Sequence, residues 1–142
     1  MLNDEIKLTT RPLNHPGGCT GYRIEAYGVT IAYCSDTEHV DGETDQNVLD
    51  LMQGADLAVY DSAYTSQEYP NHVGWGHSTP NEGIRLAELA GAKRLALFHH
   101  NPTRTDTQMA AIEANAKEQF AGAFAARDGL ELTFQAAAVA AA

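Results

Sequence analysis

A chain of 142 residues, 44% of them hydrophobic, is long enough to bury one core and short for two. Nineteen acidic against nine basic residues give a formal charge of −10, which argues against nonspecific nucleic-acid binding through a broad basic face. No run approaches the roughly 18 apolar residues of a membrane helix, and the amino end carries no apolar signal-peptide core. Cys19 and Cys34 are the only cysteines. The expectation is therefore a reducing, cytoplasmic setting in which both thiols are small buried residues without a disulfide. A local pocket holding metal cations escapes the charge objection.

In chain order, residues 5–12 are a weak strand candidate ending at Pro12, followed by a turn at His15-Pro16-Gly17-Gly18. Residues 20–26 and 29–35 read as two strands joined at Tyr27-Gly28. A short helix capped by Thr44 or Asp45 ends near Gly54, and the apolar run 56–61 reads as a buried strand. Residues 62–78 are aromatic and loop-like. Thr79 as cap, Pro80 at the first helical position and Glu82 completing a capping box open a helix that ends at Gly91. A strand over 93–98 leads into His99-His100. Thr105 and Gln108 form a second capping box, opening a helix expected to run to about Arg127 with Met109, Ile112, Ala116, Phe120 and Phe124 at helical spacing. Residues 130–134 alternate as a closing strand, and 136–142 are an alanine-rich low-complexity tail. Strands alternating with helices, after a hairpin near the start, indicate one α/β domain over residues 1–135.

The six histidines are His15, His39, His72, His77, His99 and His100. His15, His77 and the 99–100 doublet each lie just past a strand or just before a helix, beside glycine or proline. Asp36 and Asp61 stand at the carboxyl ends of expected strands, where layered α/β folds gather ligand-binding residues. Neither H-E-x-x-H nor a C-x-x-C pair is present. Spacing alone leaves two readings open: a metal site, or scattered loop histidines with strand-end capping aspartates.

Five stretches in order carry a more specific signal: "NHPGGCTGYRIE", "YCSDTE", "VYDSAYT", "GWGHSTPNEG" and "LALFHHNP". Together, over about residues 12–105, they resemble the carboxyl-terminal half of a metallo-β-lactamase-fold hydrolase, in the branch of ribonuclease Z and related phosphodiesterases. The resemblance implies half of an αββα sandwich with two divalent metals, zinc first and manganese second, at one edge of its sheets. It implies that His15 completes one metal site, that Asp36 bridges both ions, and that His99, rather than His100, is the last metal histidine. His77 matches the non-ligand histidine beside the scissile phosphate, and Asp61 its acidic partner. Imidazole and carboxylate suit such ions, and two ions can hold a hydroxide between them while neutralising a phosphoryl oxygen. His77 would then protonate the leaving oxygen, with Asp61 fixing its tautomer. His39 and His72 are expected as solvated loop residues, His100 as a packing neighbour, and Tyr64, Tyr69 and Trp75 as pocket lining or loop anchors.

The family's leading H-x-H-x-D-H signature does not occur in the 142 residues. With His15, Asp36 and His99 alone, each ion has two protein ligands where catalytic zinc typically keeps three. The resemblance therefore implies a piece of a longer protein, one half of a two-chain assembly, or a remnant without catalysis. An uncovered apolar sheet face, and hence a homodimer or an amino-terminal partner half, follows from it. The leading expectation is a metal-dependent hydrolase acting on a small phosphodiester. The alternatives are an acyl hydrolase of the same fold acting on a lactone or thioester, and a metal-poor interaction module. Transfer-RNA processing is less favoured, because no Gly/Pro-rich basic arm is present.

Overall fold

Two tight turns fold the first three strands into a meander. β1 (Ile6–Leu13), β2 (Cys19–Ala26) and β3 (Val29–Cys34) pair antiparallel. Tyr27 and Gly28 both take positive φ, 52° and 77°, the turn geometry whose twist matches that of the flanking strands. β1 continues through Pro12, which an edge strand tolerates. The computed structural model describes residues 6–134; the alanine-rich tail lies outside them.

From β3 onward the chain alternates: α1 (Gln46–Met52), β4 (Leu57–Asp61), a 3-10 turn (Tyr69–Asn71), α2 (Pro80–Ala90), β5 (Leu95–Phe98), α3 (Asp106–Gln119) and β6 (Ala123–Ala125). β3, β4, β5 and β6 pair parallel, completing a six-stranded sheet in sequential order. Asp45 caps α1, accepting from the amides of Asn47 and Val48. The Thr105–Gln108 capping box forms in both directions. At α2 only half of the expected box forms. Thr79 accepts from the Glu82 amide at 3.2 Å, while the Glu82 carboxylate turns instead to Arg85. A guanidinium within reach outcompetes a neutral backbone donor for a carboxylate.

The helices pack on one face of the sheet and against one another, α1 over β1–β3 and α2 over β4 and β5. Ala32, Cys34, Ala58, Tyr60, Leu95, Leu97 and Ala123 point into this layer and are buried with Val48, Leu51, Met52, Leu86 and Ala87 of the helices. Full burial of each larger aliphatic side chain contributes about 1.5–3 kcal/mol. Gly83 lets α2 approach closely, since a Cβ there would lie 2.8 Å from the Tyr60 ring. The opposite face carries the alternate residues. Leu8, Ile24, Ile31 and Leu57 form one row across the strands, and Tyr22, Tyr33, Val59, Ala96 and Phe124 a second. No described helix covers it, and Leu8 (48%), Tyr22 (38%) and Tyr33 (37%) are exposed. Among the described residues the architecture is thus one αβ layer pair.

Two expectations about the carboxyl end need correction. The last helix stops at Gln119, not near Arg127, and Phe124 lies in β6. Gly122 enables the change, because a Cβ there would sit 2.4 Å from the Lys93 carbonyl oxygen as the chain turns to pair with β5. Residues 130–134 form no strand; β6 already takes the place beside β5. Their alternation describes two faces but cannot supply a strand to pair with. Among the described residues no helix is long and apolar enough to cross a membrane. Cys34 is buried, Cys19 half-buried, and both are free thiols.

Candidate metal centre

The carboxyl ends of β3, β4 and β5, the β1–β2 turn and the loop before α2 converge at one edge of the sheet. They bring together all five residues singled out in the sequence. One possible ligand atom each from His15, Asp36 and His77 lies within 4.8 Å of the others, and the same holds for Asp61, His77 and His99. The His77 ring stacks on His99 at 4.6 Å and meets His15 edge-on at 5.9 Å. His99 Nε2 is 3.5 Å from Asp36 Oδ1.

The two aspartates have opposite surroundings. Asp61 is fully buried, and all four of its lone-pair directions are occupied. Oδ1 accepts from the amides of Ala63 and Ser78; Oδ2 accepts from the Asp36 amide and from His77 Nδ1 at 2.9 Å. A carboxylate so saturated has no oxygen to offer a cation. Its proximity to His77 and His99 therefore does not make it a ligand. Because the carboxylate only accepts, His77 Nδ1 carries the proton and Nε2 is left free. Asp36 has its side chain 41% exposed at the rim, open to a cation.

Backbone strain marks the same spot. Only three described non-glycine residues have positive φ, and two are Asp36 (55°) and His99 (57°), each just past a strand end. Such a conformation costs an L-residue roughly 1–2 kcal/mol and concentrates at functional sites. Ser35 Oγ lies 3.3 Å from His99 Nδ1, which fixes that edge of the ring and leaves Nε2 toward Asp36. His15 is held differently. Its Nδ1 accepts the Gly17 amide at 3.1 Å, so the neutral ring carries its proton on Nε2. Ligation through Nε2 would move that proton to Nδ1 and break the turn bond.

Sequence reasoning missed Glu38. It is buried, and its carboxylate accepts from the amides of Gly74 (2.6 Å) and Gly76 (2.8 Å) and from the Tyr69 hydroxyl. Its own backbone N–H and C=O pair with the Asn14 carbonyl and side chain. Glu38 thus ties the His15 turn to the loop that delivers His77. Gly76, at φ 88°, allows the contact, since a Cβ there would strike the His15 ring at 2.3 Å. The Gly-Trp-Gly spacing hinted at a constrained loop, but nothing in the sequence named its anchor.

His39 and His72 each differ from the expectation of a solvated loop residue, since both are half-buried and paired. His39 is stacked on Tyr69, with Nδ1 2.7 Å from Ser78 Oγ, and Ser78 in turn meets the Tyr60 hydroxyl at 3.0 Å. His72 stacks on Tyr64 at 4.0 Å, with Nδ1 2.9 Å from the Glu68 carbonyl. His100 pairs with the Ala126 carbonyl, as a supporting neighbour would, and burial pushes its pKa down. Tyr64 and Tyr69 are buried, whereas Trp75 is exposed. A cavity of about 230 Å³ lined by Ala63, Tyr64, His77, His99, His100, Asn101 and Pro102 opens beside the cluster.

A family model described as the Beta-lactamase superfamily domain matches residues 3–100, the segment that contains every residue of this cluster. The chain belongs to the β-lactamase superfamily. Its ribonuclease Z-like character also appears in curated relatives. A ribonuclease Z of Thermoplasma volcanium is 30% identical over 104 residues, covering 73% of this chain and 32% of that protein. Among solved structures, the metallo-β-lactamase fold protein YhfI from Bacillus subtilis aligns over 88% of this chain and 48% of its own, with a TM-score of 0.69 and 22% identity. A diphosphatase of the PhnP family aligns over 93% and 45%, with a TM-score of 0.62 and 22% identity. The chain thus spans about a third of that curated relative and about half of those two structures.

Proposed function

We propose that this chain forms the leaving-group side of a dinuclear metal-dependent phosphodiesterase. The observation that carries the reading is the Asp61–His77 pair. A buried, saturated carboxylate orients an imidazole that lies within reach of His15, Asp36 and His99, of which Asp36 is open at the rim. That donor set of imidazole and carboxylate fits zinc or manganese. His15 and Asp36 would hold one ion, His99 and Asp36 the other. When bound, divalent cations there supply charge neutralisation for a phosphoryl oxygen and a water acidic enough to act at neutral pH.

His77 acts from the opposite side of the reaction. Its protonated Nε2 donates to the departing ester oxygen, while Nδ1–H stays bonded to Asp61 and keeps the ring in register. Asp61 also holds the Asp36 amide, so one buried carboxylate sets both the acid and the candidate bridging ligand. The names of the similar proteins, ribonuclease Z and a diphosphatase, support phosphorus chemistry over acyl transfer. The open apolar face supports completion by a second polypeptide layer. That layer, from an amino-terminal half-domain or a second copy, brings the ligands that two donors per ion still require.

The test is metal analysis after dialysis, paired with hydrolysis of bis-p-nitrophenyl phosphate and of a lactone by the assembled protein. His15→Ala, Asp36→Ala and His99→Ala are expected each to lower zinc occupancy. His77→Ala is expected to retain zinc and lose about 10²–10⁴-fold in turnover. Lactone turnover without phosphodiester turnover selects the acyl reading. An assembled protein that binds neither zinc nor manganese overturns both.

A further inference from the structure

The loop that delivers His77 is braced by the buried Glu38 carboxylate, and it presents the chain's single tryptophan outward. Glu38 fixes the amides on both sides of Trp75, at Gly74 and Gly76, yet the Trp75 side chain gains nothing from this, the residue being 61% exposed. Behind it stands a row of rings. Trp75 meets His72 edge-on at 5.1 Å, His72 stacks on Tyr64 at 4.0 Å, and Tyr64 meets His77 edge-on at 6.1 Å. Tyr64 and His77 both line the cavity at the cluster. An exposed indole held by two pinned amides, two residues from the acid, is preorganised for a planar ligand rather than for the core.

We propose that Trp75, backed by His72 and Tyr64, is a stacking platform for a nucleobase attached to the scissile phosphate. This rests on the phosphodiesterase reading above and names its substrate class as small nucleoside phosphodiesters. Every base has a π-face, so the platform selects for nucleosides without selecting among them. The formal charge of −10 disfavours a long polyanion and leaves a compact nucleotide as the ligand that fits.

Trp75 is also the reporter, because its fluorescence is the chain's only indole signal. The zinc-loaded protein is titrated with adenosine monophosphate and, separately, with ribose 5-phosphate. Saturable quenching by the first and markedly weaker binding of the second are expected. Trp75→Leu, followed by calorimetry, is expected to weaken adenosine monophosphate roughly 5- to 100-fold, with zinc affinity and ribose 5-phosphate affinity unchanged. Trp75→Phe is expected to recover part of the loss. Equal affinity for the two phosphates, or an unchanged Trp75→Leu variant, overturns the platform and leaves the phosphodiesterase reading standing. Binding of neither phosphate overturns that reading, and the platform with it.

Discussion

The two faces of the sheet are built from the same alternating strands, yet one is packed under helices and the other, among the described residues, is not. On the helix side, Ala58, Tyr60, Leu95 and Leu97 are buried beneath α1 and α2. On the other side Leu8, Tyr22 and Tyr33 remain exposed, and no residue in the two cross-strand rows is charged. A contiguous apolar surface of this kind marks an interaction face. The candidate metal centre lies where the open face meets the sheet edge. Under the proposed function, its completion and the covering of that face are one problem, because a layer packed there would also reach Asp36, His77 and His99.

That contrast is breakable. The largest effect is expected on the helix side, where Leu95→Ala removes a fully buried side chain and costs about 2–5 kcal/mol in urea unfolding. Asp61→Ala should come close to it. It strands two buried backbone donors, at Ala63 and Ser78, and the half-buried Asp36 amide and His77 ring, at about 1–3 kcal/mol for each unsatisfied buried group, not fully additive. Asp36→Gly is expected to cost under about 1 kcal/mol, because glycine relieves the positive φ, while zinc occupancy collapses. If the two aspartates prove equally costly to replace, the division between a structural and a ligating carboxylate is wrong.

Smaller effects test the frame around the site. Arg104 holds the Glu68 carboxyl down to about 2, helped by the Thr65 amide and hydroxyl. A carboxyl depressed in the folded state contributes stability above its unfolded value, and loses it as pH falls toward the folded one. Melting temperature should therefore fall between about pH 5 and pH 2, and Glu68→Gln should flatten that limb. The pair is partly exposed, so the contribution is under about 1 kcal/mol. The smallest stability change belongs to the open face. Tyr33→Ser is expected to shift unfolding by about 0.5 kcal/mol or less, and to weaken association in sedimentation velocity. Unchanged association would remove the open face as the docking surface.

Much of the fold was legible because it rests on local chemistry. Asp45, Thr79 and Thr105 announce helix starts through side-chain oxygens, and Gly91 announces a helix end at φ 65°. The run to Phe124 misled because periodicity continues through any apolar sequence, while Gly122 responds to a carbonyl from residue 93. Within the site, Asp36, Asp61, His15, His77 and His99 were legible from ordered motifs. Glu38, Ser35 and His39 were not, since the hydrogen-bond partners that place them in the site lie 16 to 64 residues away in sequence.

The sequence by itself determined the order of elements as far as the start of α3, the residues that cap its helices, and the five side chains that meet at the sheet edge. These depend on neighbours a few residues apart or on motifs read in order. Only the tertiary structure decided that Asp61 is saturated while Asp36 is open at the rim, that Glu38 braces the loop holding Trp75 and His77, and that no described helix covers one sheet face. Hydrogen-bond saturation and burial are properties of what else arrives at a point in space, and a one-dimensional pattern does not contain them.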